Sequence, residues 1–295
     1  MMKQAIAIGF GALLPLATSA GTLDHIRETG TLTLGYVSNG QPFSYAKDGT
    51  AAGFAVELCK KVAEKVKAYA DLSSATIQWT AVSGDGLEAV QQGTVDLLCA
   101  ASPVSLGARS KVSFSAPIFP GGISAVMHAD GSERLKTLLE ERPAPYQPVW
   151  RGTPPPSIEH RTFAAVKGSD AETWLDGRIK TYRLQSTIAP VDSADAGVAA
   201  VVSGDADVFF ADSASVLEAV SRNANAAQVK VLSRHFEFRS LAFALPRNDD
   251  DFRLAVDRAL TEVYVNPEFG DLYTASFGKP DADTVTFFRA TAVPR

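Results

Sequence analysis

Two stretches decide the fold: "AVQQGTVDLLCA" at residues 89–100 and "AVVSGDADVFFA" at residues 200–211. They align without a gap. Each has the end of a helix, a glycine that stops it (Gly93, Gly204), an aspartate (Asp96, Asp207) and a short apolar run that reads as a buried strand. A chain of 295 residues has room for two domains, and here one local pattern is written twice. The residues just past the two strands, Ala101–Ser102 and Asp212–Ser213, then occupy equivalent places. In open α/β sheets, ligands sit at the carboxyl ends of the strands. Two lobes whose strand ends face one another would enclose a cleft.

The surrounding sequence fits that reading. "TLTLGYV" (31–37) and "TIQWTAV" (76–82) alternate as strands. Between them, "GFAVELCKKVAEKVKAY" places Phe54, Leu58, Val62 and Val66 four apart, on one apolar helix face. Strands alternating with helices predict a largely parallel sheet. "ISAVMHA" (123–129) is expected to be a strand leading into a helix at "SERLKTLLEER". "FRSLAFALP" (238–246) is expected to cross back, ahead of an amphipathic helix in "DDFRLAVDRALTEVYV". The division expected is 21–125 plus 246–295 for lobe 1 and 126–245 for lobe 2. A segment at 142–157, "RPAPYQPVWRGTPPPS", is too rich in proline for a helix or a central strand.

Residues 1–20 read as a secretory signal peptide: Lys3, the apolar run "AIAIGFGALLPLA", then small residues before Gly21. The run is too short, and too interrupted by proline, for a comfortable membrane span. Without the leader the chain carries 27 Lys and Arg against 33 Asp and Glu, a net charge of −6 with no basic cluster. That argues against a nucleic-acid partner. An exported chain can oxidise its two cysteines. Cys59 and Cys99 either pair, closing a ring of about 40 residues worth roughly 4 kcal/mol on the chain-entropy account, or sit as buried thiols; export favours the pair.

Catalytic and metal signatures are missing from the sequence. His25, His128, His160 and His235 lack ligand spacing, and there is no Walker loop or Gly-x-Ser-x-Gly elbow. No cofactor and no metal are expected.

Several stretches together resemble the periplasmic solute-binding proteins of polar amino-acid ABC transporters: "TLTLGYVSNGQPFSYAKDGTAAGFAVELC", "AVQQGTVDLLCAASPVSLGARSKVSFSAPIF", "TFAAVKGSDAETWL" and "GDADVFFADSASVL". The placement of the cysteines is similar to the glutamate/aspartate-binding branch. The resemblance implies a periplasmic, monomeric protein with two α/β lobes, the type II arrangement. Two crossing strands would act as the hinge on which the lobes close over a small polar solute, with a permease in the inner membrane as partner.

The resemblance also implies roles for particular residues. Phe54 matches an aromatic wall for the ligand, although its helical spacing fits a core position equally well. Ser102 matches a strand-end hydrogen-bonding position. Asp212 matches the acid that pairs with the ligand's α-ammonium, and it would also serve as a helix N-cap. Ser169 stands at a helix start, where backbone N–H groups favour an anion. An Arg that takes the ligand's carboxylate through a two-pronged fork belongs at the position occupied by Ala108; Arg109 is one place later, so it is either the clamp on a rewound turn or ordinary surface charge.

Other departures accumulate. Pro103 replaces a hydroxyl donor, Val37 and Gly86 stand where acidic-ligand members carry Arg, and Gly40 replaces a second aromatic wall. Asp170 stands where the family often has Thr, and an acid there is expected to repel an anion. The combination favours a neutral or amine-bearing solute. Two other readings remain: a sensory or partner-binding periplasmic module, and a cyclohexadienyl-dehydratase-like enzyme on the same fold, for which Asp170 or Asp212 would supply the acid.

Overall fold

Asp96 and Asp207, the paired acids of the repeat, make the same two bonds in the structure. Each accepts a hydrogen bond from the backbone N–H at the start of a strand, Asp96 from Thr33 at 2.7 Å and Asp207 from Thr162 at 2.9 Å. Each also donates its own N–H to that residue's carbonyl, at 2.8 Å in both cases. Gly93 and Gly204 both take left-handed backbone where the preceding helix stops. The computed structural model describes residues 21–140 and 158–293, so the leader expected at 1–20 and the Pro-rich segment at 142–157 lie outside the described residues.

In chain order the first part gives α1 (Thr22–Thr29), β1 (Thr31–Val37), three short strands β2 (Asn39–Gly40), β3 (Ser44–Lys47) and β4 (Thr50–Ala52), then α2 (Phe54–Tyr69) and β5 (Thr76–Val82). It continues with α3 (Leu87–Gln91), β6 (Leu97–Pro103), α4 (Leu106–Arg109), β7 (Ser113–His128) and α5 (Glu133–Glu140). The second part gives β8 (Thr162–Val166), α6 (Asp170–Tyr182), β9 (Thr187–Val191), α7 (Ala194–Ser203), β10 (Val208–Asp212), α8 (Ser213–Arg222) and β11 (Val229–Val231). It closes with β12 (Glu237–Leu245), α9 (Asp250–Tyr264), α10 (Glu268–Phe277) and α11 (Ala282–Thr291).

The two lobes share one sheet, in the order β5-β1-β6-β12-β7-β10-β8-β9, with β11 beside β7. Strands β1, β5 and β6 are mutually parallel, and so are β8, β9 and β10. The two parallel sets are joined by β7 and β12, which pair antiparallel from Glu237 opposite Ile123 to Leu245 opposite Ser113. Apolar side chains fill both faces. Leu34, Phe54, Cys59, Phe119, Phe243 and Phe252 belong to a cluster in the first lobe, whereas Ile123, Ala125, Phe163 and Phe210 pack in the second. Leu241, Phe243 and Leu245 lie in the first lobe's core, so the packing changes over inside the crossing strands, near 120–122 and 239–240. The expected divisions, after 125 and 245, lie within β7 and at the end of β12, the two strands that serve both cores.

The strand expected at 123–129 is the second half of β7, which runs for 16 residues. Its ladder with β12 slips between Leu241 and Ala242 and again before Ala244. A slip of this kind leaves buried backbone groups to be satisfied elsewhere. Asp257 of α9 accepts the Ala116 N–H at 2.6 Å, Ser115 Oγ accepts the Phe243 N–H at 3.1 Å, and the Tyr264 hydroxyl donates to the Pro117 carbonyl at 2.7 Å. Where β7 enters the second lobe, Gly122 has φ of +131°, and a Cβ there would collide with the Glu237 carbonyl oxygen.

Cys59 on α2 and Cys99 on β6 form a disulfide, with 5.6 Å between their Cα atoms. Both residues are fully buried in the first lobe's core. Replacing both with Ala is expected to lower unfolding stability by about 4 kcal/mol, read from urea denaturation. Gly122→Ala combines left-handed strain with a backbone collision and should cost more than about 3 kcal/mol; an unchanged urea midpoint would mean that the crossing relaxes freely.

Candidate functional site

Strands β6 and β10 approach one stretch of the crossing pair from opposite directions. β6 runs from Leu98 opposite Ala244 to Pro103 opposite Leu241, while β10 runs from Val208 opposite Met127 to Asp212 opposite Ile123. Ile123 itself faces Glu237. The two carboxyl ends are therefore four residue steps apart along β12, about 13 Å at strand rise. The floor of this gap is the crossing itself, Pro120–Gly122 and Phe238–Ser240. The cleft implied by the repeat would open above this floor.

Here the structure brings together Asp212 and Asp170 from the second lobe and, from the crossing strand, a residue the sequence reading did not single out, Arg239. Asp212 ends β10 and caps α8, accepting the Ala214 N–H at 3.0 Å. The residue is exposed, yet the protein packed around it raises its carboxyl above the usual value. Desolvation outweighs the N–H groups of Ala214 and Ser215 and the positive charge of Arg239, which pull the other way, and Asp170 adds like-charge repulsion. Asp170, the first residue of α6, accepts from Arg239 Nη1 at 2.7 Å, and Arg239 Nη2 also lies 3.6 Å from Glu237. Asp170 was expected to repel an anion; the guanidinium seated on it counters that charge. An Arg within the largely apolar run "FRSLAFAL" was the signal available for Arg239.

The other expected residues fall as follows. Ser169 caps α6, its hydroxyl accepting from the Glu172 N–H at 3.1 Å, while the Glu172 carboxylate accepts from the Gly168 N–H, one residue before the cap, at 2.7 Å. Ser102 is buried near the carboxyl end of β6, opposite Ala242. Arg109 closes the one-turn helix α4 just beyond, exposed, and among the described residues it forms no ion pair. Phe54 has no exposed surface: its ring packs against Phe43, Phe119 and Phe277, the core alternative of the two open to it. A separate cavity of about 570 Å³, at the seam of α8 with α10 and α11, is lined by none of the six expected positions. No group of His, Cys, Asp and Glu among the described residues is arranged to hold a metal ion.

This architecture has known counterparts. The family model described as bacterial extracellular solute-binding proteins, family 3, matches residues 32–279. The chain belongs to that family. Among its relatives, the L-glutamate/L-aspartate-binding protein of Pseudomonas aeruginosa is 24% identical over 263 residues, 88% of this chain and 81% of that one. The amino-acid-binding protein AabA of Dichelobacter nodosus is 27% identical over 225 residues, covering 75% and 78%. The crystal structure of a polar amino acid ABC uptake transporter substrate-binding protein from Streptococcus thermophilus superposes with a TM-score of 0.69 at 17% identity, over 94% of this chain and 97% of that one. At that identity the likeness establishes the shared two-lobed fold.

The raised carboxyl of Asp212 gives a pH test. A group whose pKa rises on folding contributes stability below its unfolded value, near 4, and loses that contribution as pH climbs through the folded value. Ionised Asp212 thus costs the unliganded protein stability at neutral pH. Asp212→Asn keeps the cap, so it should raise the melting temperature of the unliganded protein at pH 7. The difference from wild type should shrink to nothing as the pH falls below about 4, followed by calorimetry across pH.

Proposed function

We propose that the protein is exported to the periplasm, where it captures a small amino-acid-like or amine-bearing solute between its lobes and presents it to an ABC transporter permease, acting as a monomer with no chemistry of its own. The observation that carries this reading is Asp212, an acid at the carboxyl end of a lobe-2 strand, within the cleft and only partly solvated. A carboxylate so placed gains most from an ammonium that replaces its lost water. Family membership supports the reading, and so do relatives named for binding amino acids. A second acid, Asp170, beside Asp212 favours a solute that brings a positive charge.

The proposal is tested by thermal shift of the protein, lacking residues 1–20, against amino acids, amines, small carboxylic acids and prephenate. A solute present at a thousand times its Kd adds about 4 kcal/mol, a rise of roughly 8–16 °C for a chain of this size. The expected hit is an amino acid or amine, recovered unchanged by chromatography. Turnover of prephenate would instead identify a dehydratase, and silence across the panel would remove the amino-acid reading.

A further inference from the structure

Resting on the amino-acid reading above, we propose that Arg239, rather than Arg109, receives the solute's carboxylate. We further propose that the Arg239–Asp170 ion pair occupies the site as a stand-in for a zwitterion until the solute's own two charges displace it. Position is the first argument. Arg239 lies midway along the floor between the ends of β6 and β10, directly opposite Gly121, which adds no side chain. Its side chain is 44% exposed, so the fork is open to the cleft rather than sealed against the sheet. Arg109, in contrast, is carried on a single exposed turn of the first lobe.

Charge balance is the second. Arg239 holds Asp170 at 2.7 Å, with Glu237 at 3.6 Å, and its charge is felt at Asp212. A zwitterion entering this set exchanges partners without leaving a charge alone. Its carboxylate takes the guanidinium, for which the planar fork is suited. Its ammonium meets Asp212 and the released Asp170. A carboxylate lacking an amine would evict Asp170 from its partner and leave two acids facing one another. An amine lacking a carboxylate would find Asp212 alone, because Asp170 would stay on Arg239. The floor therefore selects for both charges on one small molecule, which narrows the solute class to zwitterions.

The test compares thermal shifts of wild type, Arg239→Ala, Arg239→Lys and Arg109→Ala with two probes: a pool of L-α-amino acids, and a pool of the matching α-amino acid amides, which keep the ammonium and lack the carboxylate. Wild type should respond to the acids and much less to the amides. Arg239→Ala should bind the responding acid at least about tenfold more weakly by calorimetry, its response falling to the amide level, with Arg239→Lys in between. Its unliganded melting temperature should stay within about 2 °C of wild type, as befits a half-exposed ion pair. If Arg239→Ala responds to the acids as wild type does, or if Arg109→Ala alone abolishes the response, this assignment is overturned and the amino-acid reading stands. If wild type responds to neither pool, both fall together.

Discussion

The antiparallel ladder between Ser113–His128 and Glu237–Leu245 is the constraint on which the rest of the molecule depends. It is the path by which the chain leaves one lobe and returns to it, and it fixes where the strand ends of both lobes arrive. Its irregularity is supported from outside: where the register slips, Asp257, Tyr264 and Ser115 satisfy the backbone groups that a regular ladder would have paired. Helix α9 is thereby fastened to the crossing strand, and Phe119 of that strand stacks on Tyr273 of α10. The first lobe holds the crossing firmly. At Gly122 the backbone enters the second lobe in a conformation that suits a glycine.

The same geometry makes the cleft asymmetric. The second lobe brings two acids, Asp170 and Asp212, on the starts of two helices, whereas the first lobe's contribution at the end of β6 is Ser102, Pro103 and the exposed turn carrying Arg109. The floor supplies a cation, Arg239, seated on Asp170. On the proposal above, recognition is divided between one lobe and a crossing strand rather than evenly between two lobes.

Much of the fold was legible because local physics and tertiary context agree there. "TLTLGYV" and "TIQWTAV" became strands over the residues their alternation marks, and the four-residue spacing of Phe54, Leu58, Val62 and Val66 became the buried face of α2. The repeat was legible because the helix-stopping glycine, the aspartate three residues on and the strand that follows it keep one local spacing in both copies. What stayed hidden depends on residues distant in sequence. Nothing local says that β7 begins at Ser113, since its first half pairs with a strand more than a hundred residues away. The helical tail "ADTVTFFRAT" is helical because Phe288 has a place against Tyr264 and Phe269. Arg239 escaped notice for the same reason: a charge in an apolar strand reads as an anomaly until Asp170 is seen beside it.

The two cores also differ in when they can be completed. The second lobe's clusters draw on residues from Ile123 to Phe236, a continuous stretch of chain. The first lobe's principal cluster takes in Ile26 at one end of the sequence and Phe269, Tyr273, Phe277 and Phe288 at the other. A chain made from its N-terminus has all the residues of the second lobe in hand while the first lobe still lacks the rings that surround Phe54. The lobe that comes second in the sequence is the one able to fold first. Cys59 and Cys99, both in the earlier half, can hold α2 against β6 while the first lobe waits for its C-terminal helices.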